Sequence, residues 1–232
     1  MSRLIIYTLL VSIALIACTV SFGDALYLKH FSFNSRDDLG KWSEMVLDGK
    51  VDYFIDLKGD NGFVHADSKK ACSVIFYKIG FKPKQYPILR WRWCILKFPK
   101  KAYFKGGETV DDYAARVYII YPGFTFPSFR FIEYIWSEHL PEGHMQQSPS
   151  AKNIMQIVVR SGRDEAGKWV QEERNIYEDF EKAFGEKTSR SAGAVAIMCN
   201  SNLTGSEAEA LVDNITIGKE SGVQLEVAKD EK

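Results

Sequence analysis

The stretch "LRWRWCILKF", residues 89–98, sets two tryptophans two apart with an arginine before each. In a β-strand successive side chains point to opposite faces. Leu89, Trp91, Trp93 and Ile95 then share one side, and Arg90, Arg92, Cys94 and Leu96 share the other. Either the tryptophans fill a core or they line a site, and the rest of the chain has to decide between the two.

Working outward, nearly every apolar run is short, rich in Val, Ile, Phe, Tyr and Trp, and bounded by Gly, Pro, Asn, Asp or Ser, which is the punctuation of strands. Such runs fall at residues 26–33, 51–57, 72–79, 88–98, 113–121, 129–137, 154–160, 194–199 and 211–217. Many strands with brief helical pieces predict an all-β, mainly antiparallel sandwich or barrel. Two short helices interrupt the pattern. Ser35 can cap a turn through "RDDLGKW", with Asp37 and Asp38 at its start. "EERNIYEDFEKAFG" places Ile176, Phe180 and Phe184 at fourfold spacing and ends at Gly185.

The chain has 232 residues, 46% of them hydrophobic and 13% aromatic, enough for a full core in one domain over residues 24–220, with a fraying tail at 221–232. Basic and acidic residues balance at 30 each without a basic block, which argues against nucleic acid as a partner. Residues 1–23 read as a secretory signal: Arg3, an apolar stretch from 4 to 17, then small residues. Leu15-Ile16-Ala17-Cys18 also resembles the bacterial lipobox. The expected locations are therefore periplasmic or lipid-anchored to the cell envelope, with membrane contact only through an anchor at Cys18. Cleavage after Gly23 without lipid is the alternative. Cys72, Cys94 and Cys199 sit in strand-like runs and read as small buried hydrophobes, with one disulfide plus one buried thiol as the alternative in an oxidising compartment.

The motifs of common enzyme classes are missing: no Gly-x-Ser-x-Gly, phosphate loop or His-Glu-x-x-His is present, and no cofactor is implied. His139, Glu142 and His144 in "SEHLPEGHM" read as a turn rather than a metal site. In "DDYAARVYIIYP" Arg116 stands among apolar neighbours, so it needs a carboxylate, such as Asp112 or Glu133, or a solvated groove. In "FRFIEYIWS" Arg130, Ile132, Tyr134 and Trp136 share a side. An aromatic face that also carries planar hydrogen-bonding groups suits a sugar, whose C–H face stacks on a ring while its hydroxyls take donors and acceptors.

"LRWRW", "DDYAARVYIIYP", "IEYIWS", "NIMQIVVRSG" with "KWVQEERNIYEDFEKAFG", and "GAVAIMCNSNLTGSEAEALVDNITI" together resemble the motifs of domain of unknown function family 3047. The resemblance spans nearly all of the chain after the signal. It implies an exported bacterial jelly-roll sandwich with no established activity, and it marks Trp91, Trp93, Asp111, Asp112, Arg116, Tyr134, Trp136, Trp169, Asn175, Asp179 and Asp213. Where the family tends to read Asp-Ser-Asp, this chain has Asn200-Ser201-Asn202, which lacks the carboxylates a calcium ion prefers. The expectation is a ligand-binding β-sandwich for a glycan or cell-envelope polysaccharide. Trp91, Trp93, Tyr134 and Trp136 would stack on it, and Asp112, Arg116 and Asn175 would bond its hydroxyls. The alternatives are a polysaccharide hydrolase or lyase using Asp112 with Glu133 or Asp179, and a non-catalytic envelope interaction protein.

Overall fold

The structure is a computed structural model that describes residues 26–101 and 110–219. The expected signal at 1–23, the anchor at Cys18 and the tail at 221–232 lie outside the described residues. The strands are β1 Tyr27–Phe31, β2 Ser43–Asp48, β3 Asp52–Lys58, β4 Asn61–Lys69, β5 Cys72–Phe81, β6 Ile88–Lys97, β7 Arg116–Tyr121, β8 Arg130–Ser137, β9 Met145–Gln147, β10 Ile154–Ser161, β11 Val170–Asn175, β12 Ala192–Asn200 and β13 Glu207–Gly218. Among the described residues one α-helix, α1 Ile176–Phe184, stands between β11 and β12, and two short 3-10 turns cover Arg36–Lys41 and Phe126–Ser128.

The strands form two sheets. The smaller runs β11-β6-β13-β4-β3, with β1 pairing the far half of β13; the larger runs β2-β5-β12-β7-β8-β10-β9. Pairing is antiparallel except between β8 and β10. This is the expected mainly antiparallel β-sandwich.

The quoted stretch is β6, and its tryptophans point inward. Trp91 and Trp93, from the smaller sheet, meet Tyr134 and Trp136, from β8 of the larger sheet, at ring separations of 5.3 Å and 5.9 Å. All four are 0–1% exposed, in one cluster with Leu89, Ile95 and Ile132. Aromatic side chains each bury about 150–250 Å², so this ladder supplies much of the apolar area that joins the sheets. Trp93 Nε1 donates to Glu172 at 3.2 Å, Trp136 Nε1 to the Gly162 carbonyl at 2.9 Å and Tyr134 Oη to Asp179 at 2.9 Å.

Local signals hold where their chemistry is short-range. Ser35 caps the first 3-10 turn in a reciprocal capping box with Asp38. Gly185 ends α1 in the left-handed region at φ 71°, which glycine adopts without a Cβ clash. The helix is shorter at its start than its sequence predicts: residues 172–175 finish β11, because pairing with β6 extends to Asn175↔Ile88. In β4, a side chain at Gly62 would bring its Cβ within 2.1 Å of the Phe33 carbonyl oxygen. Only glycine admits that approach.

Cys72, Cys94 and Cys199 are free and buried. Burial pushes the Cys72 thiol up to about 11 and raises Cys94 and Cys199 as well. At neutral pH none of the three offers an appreciable thiolate fraction. An aromatic disulfide reagent should therefore label these three sites only after denaturant is added, as read by peptide mass mapping. Rapid labelling of any of them in the folded protein would contradict this packing.

Candidate functional site

The structure places the expected site residues, and most of them are working inside the fold. Trp91, Trp93, Tyr134 and Trp136 do come together, but facing one another across the sandwich. This corrects the stacking role: a sugar ring needs an open aromatic face, and these are closed by the opposite sheet. Asn175 is the N-cap of α1, accepting from the amides of Tyr177 and Glu178 at 3.2 Å each. Asp112 is fully buried and holds the loop after β12, accepting from Asn200 Nδ2 at 2.6 Å and from the Thr204 amide and hydroxyl at 2.7 Å and 2.8 Å. That loop is the segment where the family pattern's acids are replaced by Asn200 and Asn202.

Arg116 lies on the outer face of the larger sheet, yet it is 2% exposed. Its guanidinium donates to Glu133, to the side chain and carbonyl of Asp111 and to Asn200, with the Tyr113 ring 4.8 Å away. Strand register explains the cluster: Tyr118, Glu133, Gln156 and Gln146 form one cross-strand row over β7, β8, β10 and β9. Tyr118 Oη donates to Glu133 at 2.6 Å, Gln156 Nε2 donates to Asp111 at 2.7 Å and to Glu133 at 2.9 Å, and Gln146 donates to Gln156 at 2.9 Å.

Burial lifts Glu133 above the ordinary carboxylate range against the pull of Arg116. Burial also opposes ionisation of Asp111, but Arg116 and donors from Ser150, Ser148 and Gln156 outweigh it and hold that carboxyl low. The carboxylate that shares donors with Glu133 is therefore Asp111. The pairs expected for a hydrolase are not assembled, since Asp112 turns to the 200–204 loop and Asp179 to Arg174 and Tyr134.

A second polar and aromatic cluster lies on the other side of the quoted strand, with Phe63, Arg92, Cys94, Leu211 and Asp213 buried and Trp169, His65 and Arg90 partly exposed. Arg90, Arg92, Cys94 and Leu96 project from the outer face of the smaller sheet. Beside them stand Leu211 and Asp213 of β13, Phe63 and His65 of β4, and Phe54 and Asp56 of β3, by strand register. Trp169, just before β11, folds over this face. It packs with Phe63, Cys94 and Leu211, edge-on to Phe63 at 5.4 Å, and the Arg92 guanidinium lies 4.7 Å from its ring. Arg92 in turn donates twice to Asp213, at 2.9 Å and 2.7 Å.

Around that centre His65 Nε2 donates to Glu209 at 2.8 Å, its ring lies 4.7 Å from that of the exposed Phe54, and Arg90 donates to Glu173 at 2.6 Å. The segment carrying Trp169 is pinned to β6 by the Gly167 amide on the Ile95 carbonyl at 2.8 Å. Trp169 and Asp213 were marked by the family pattern. Phe63 and His65 were missed because β4, "NGFVHADSK", opens with a turn dipeptide and alternates with small and polar residues. Its period-2 pattern was the available signal.

Among solved structures the chain is similar to the family 11 carbohydrate-binding module of a cellulosomal cellulase of Clostridium thermocellum: 10% identity, TM-score 0.43, 79% of this chain and 91% of that one. A Cel12A cellulase variant derived from Rhodothermus marinus aligns at 11% identity, TM-score 0.46, over 81% and 94% of the two chains. No curated protein matches the sequence. The model of the family described as "Protein of unknown function (DUF3047)" matches residues 40–216, from the first 3-10 turn to the last strand, and the chain belongs to that family.

Proposed function

We propose that this chain is an exported glycan-binding protein whose ligand lies on the outer face of the smaller sheet. The observation that carries the reading is Trp169, only partly buried, packed edge-on against Phe63 and against Cys94 and Leu211, with the Arg92 guanidinium over its ring and Arg92 itself fixed by Asp213. An indole so braced loses little conformational freedom when a pyranose stacks on it. Around it Arg90, His65 and Glu209, each partly exposed, offer planar donors and acceptors, already oriented by their own pairs, for ring hydroxyls. Export rests on Arg3 and the apolar stretch 4–17.

The test is a polysaccharide binding panel run with the parent chain and a Trp169→Ala variant verified as folded by circular dichroism. Truncating a central aromatic anchor should weaken affinity at least about tenfold. A folded variant that binds as tightly as the parent refutes the site.

A further inference from the structure

We infer that the glycan this face takes is an anionic one, and that its acidic group is received in the cleft where β6 and β13 run off the end of the smaller sheet. This inference rests on the glycan-binding reading and names the class of its ligand. The cleft has a volume of about 640 Å³, and its charged lining is Lys70, Lys97, Lys100 and Arg163 against the single carboxylate of Glu207. It is continuous with the Trp169 face: Leu96 projects from the same side of β6 as Arg90 and Arg92, and Ala166 and Arg163 belong to the segment that carries Trp169.

Two of the four cations are committed. Lys97 donates to Glu207 at 2.8 Å, and Arg163 pairs with Glu138 at 2.8 Å. Lys70 and Lys100 are exposed, and among the described residues neither ammonium group has an acidic partner. Two cations remain to be balanced. A carboxylate- or sulfate-bearing sugar stacked near Trp169 would balance them, and a cleft with low-dielectric walls strengthens that attraction over the bare surface.

The backbone supplies an independent observation. Lys70 sits in the left-handed region at φ 53°, a conformation glycine fills without penalty and a lysine does not. It is held there by its amide, which donates to the Ser206 carbonyl at 2.9 Å and to Ser201 Oγ at 3.1 Å. The same loop is fixed from behind by buried Asp112 through Thr204, and Ser206 Oγ takes the Lys100 amide at 3.0 Å. A strained lysine, over-determined by its surroundings and lining a cleft, has the character of a residue kept for its side chain.

The experiment measures affinity of the full chain for polygalacturonate and for neutral galactan, each at low and moderate salt, with Lys70→Gly, Lys100→Ala and Trp169→Ala variants. The parent should prefer the acidic polymer, and added salt should erode that preference. Each lysine change should weaken polygalacturonate binding about twofold to fivefold and leave galactan binding unchanged. Lys70→Gly should melt no lower than the parent, which separates loss of the cation from loss of fold. Equal affinity for both polymers, or lysine variants that bind polygalacturonate like the parent, overturns the anionic assignment while glycan binding stands. Absence of binding to either polymer by the parent overturns both readings.

Discussion

Replacing Arg116 with alanine should destabilise the protein by about 3–5 kcal/mol, as expected when one partner of a buried ion pair is removed. The residue is charged in the native state, and both Asp111 and Glu133 raise its guanidinium well above its ordinary value against the cost of burial. Its removal leaves two buried carboxylates facing each other around Gln156, with no counter-charge at that point. In a chain of this length such a loss lowers the melting temperature by roughly 6–20 °C. Lysine should rescue little, because only a fork can serve Glu133, Asp111 and Asn200 together.

The sign of the pH dependence follows from the two acids. Asp111 is held low in the folded protein, so the stability it contributes is present above the usual carboxylate range and is lost as pH falls through its folded value. Glu133 is held high by burial, so its charge costs stability at neutral pH and that cost is relieved as pH falls. Without Arg116 both carboxyls rise. The folded variant then takes up protons more readily than its unfolded chain, and its deficit relative to the parent should narrow between about pH 7 and pH 4.5. Thermal melts of both proteins across that range read this directly; a deficit that widens on acidification contradicts the assignment of charges.

Replacing Trp93 with alanine should cost about 3–5 kcal/mol, the typical range for emptying a buried indole site. Trp93 is fully buried and touches Trp91 and Trp136 edge-on and tilted, at 5.4 Å and 5.9 Å. The contrast with phenylalanine substitutions is sharper. Trp93→Phe removes a hydrogen bond that Glu172 accepts, whereas the Trp91 indole N–H is buried without a hydrogen-bond partner among the described residues. Trp91→Phe should therefore be the milder change of the two, since it removes no hydrogen bond, whereas Trp93→Phe takes one of the donors from Glu172 and leaves it to Arg160 alone. Urea unfolding of the pair orders them, and Trp93→Phe emerging as the milder one would overturn the description of the core.

The comparison of sequence with structure turns on strands whose two faces differ. Alternation in "LRWRWCILKF" separates the tryptophans from the arginines correctly, and capping chemistry at Ser35 and Gly185 marks real helix ends, because both signals are local. Which face looks inward depends on what the other sheet brings. That β8 would lay Tyr134 and Trp136 against Trp91 and Trp93 is a matter of long-range pairing that period-2 patterning does not encode. The same limit explains β11, whose "VQEERN" has helix-forming composition and is made a strand by its ladder with β6. Arg116 did reveal itself in the sequence as a charge needing a partner. Glu133 is one of the two carboxylates expected for it; Asp111, marked only by the family resemblance, reaches it from the segment that precedes β7.

One side of β6 holds the sandwich together, and the other is the side proposed to form a binding face centred on Trp169. The most direct measurement is a tryptophan fluorescence titration with a bound polysaccharide, run on the parent and on folded Trp169→Ala. A ligand-induced emission change is expected in the parent and should disappear in the variant, while the buried indoles keep their emission in both. A change of equal size in the variant would show that the ligand reaches another tryptophan, and would place the site elsewhere on the molecule.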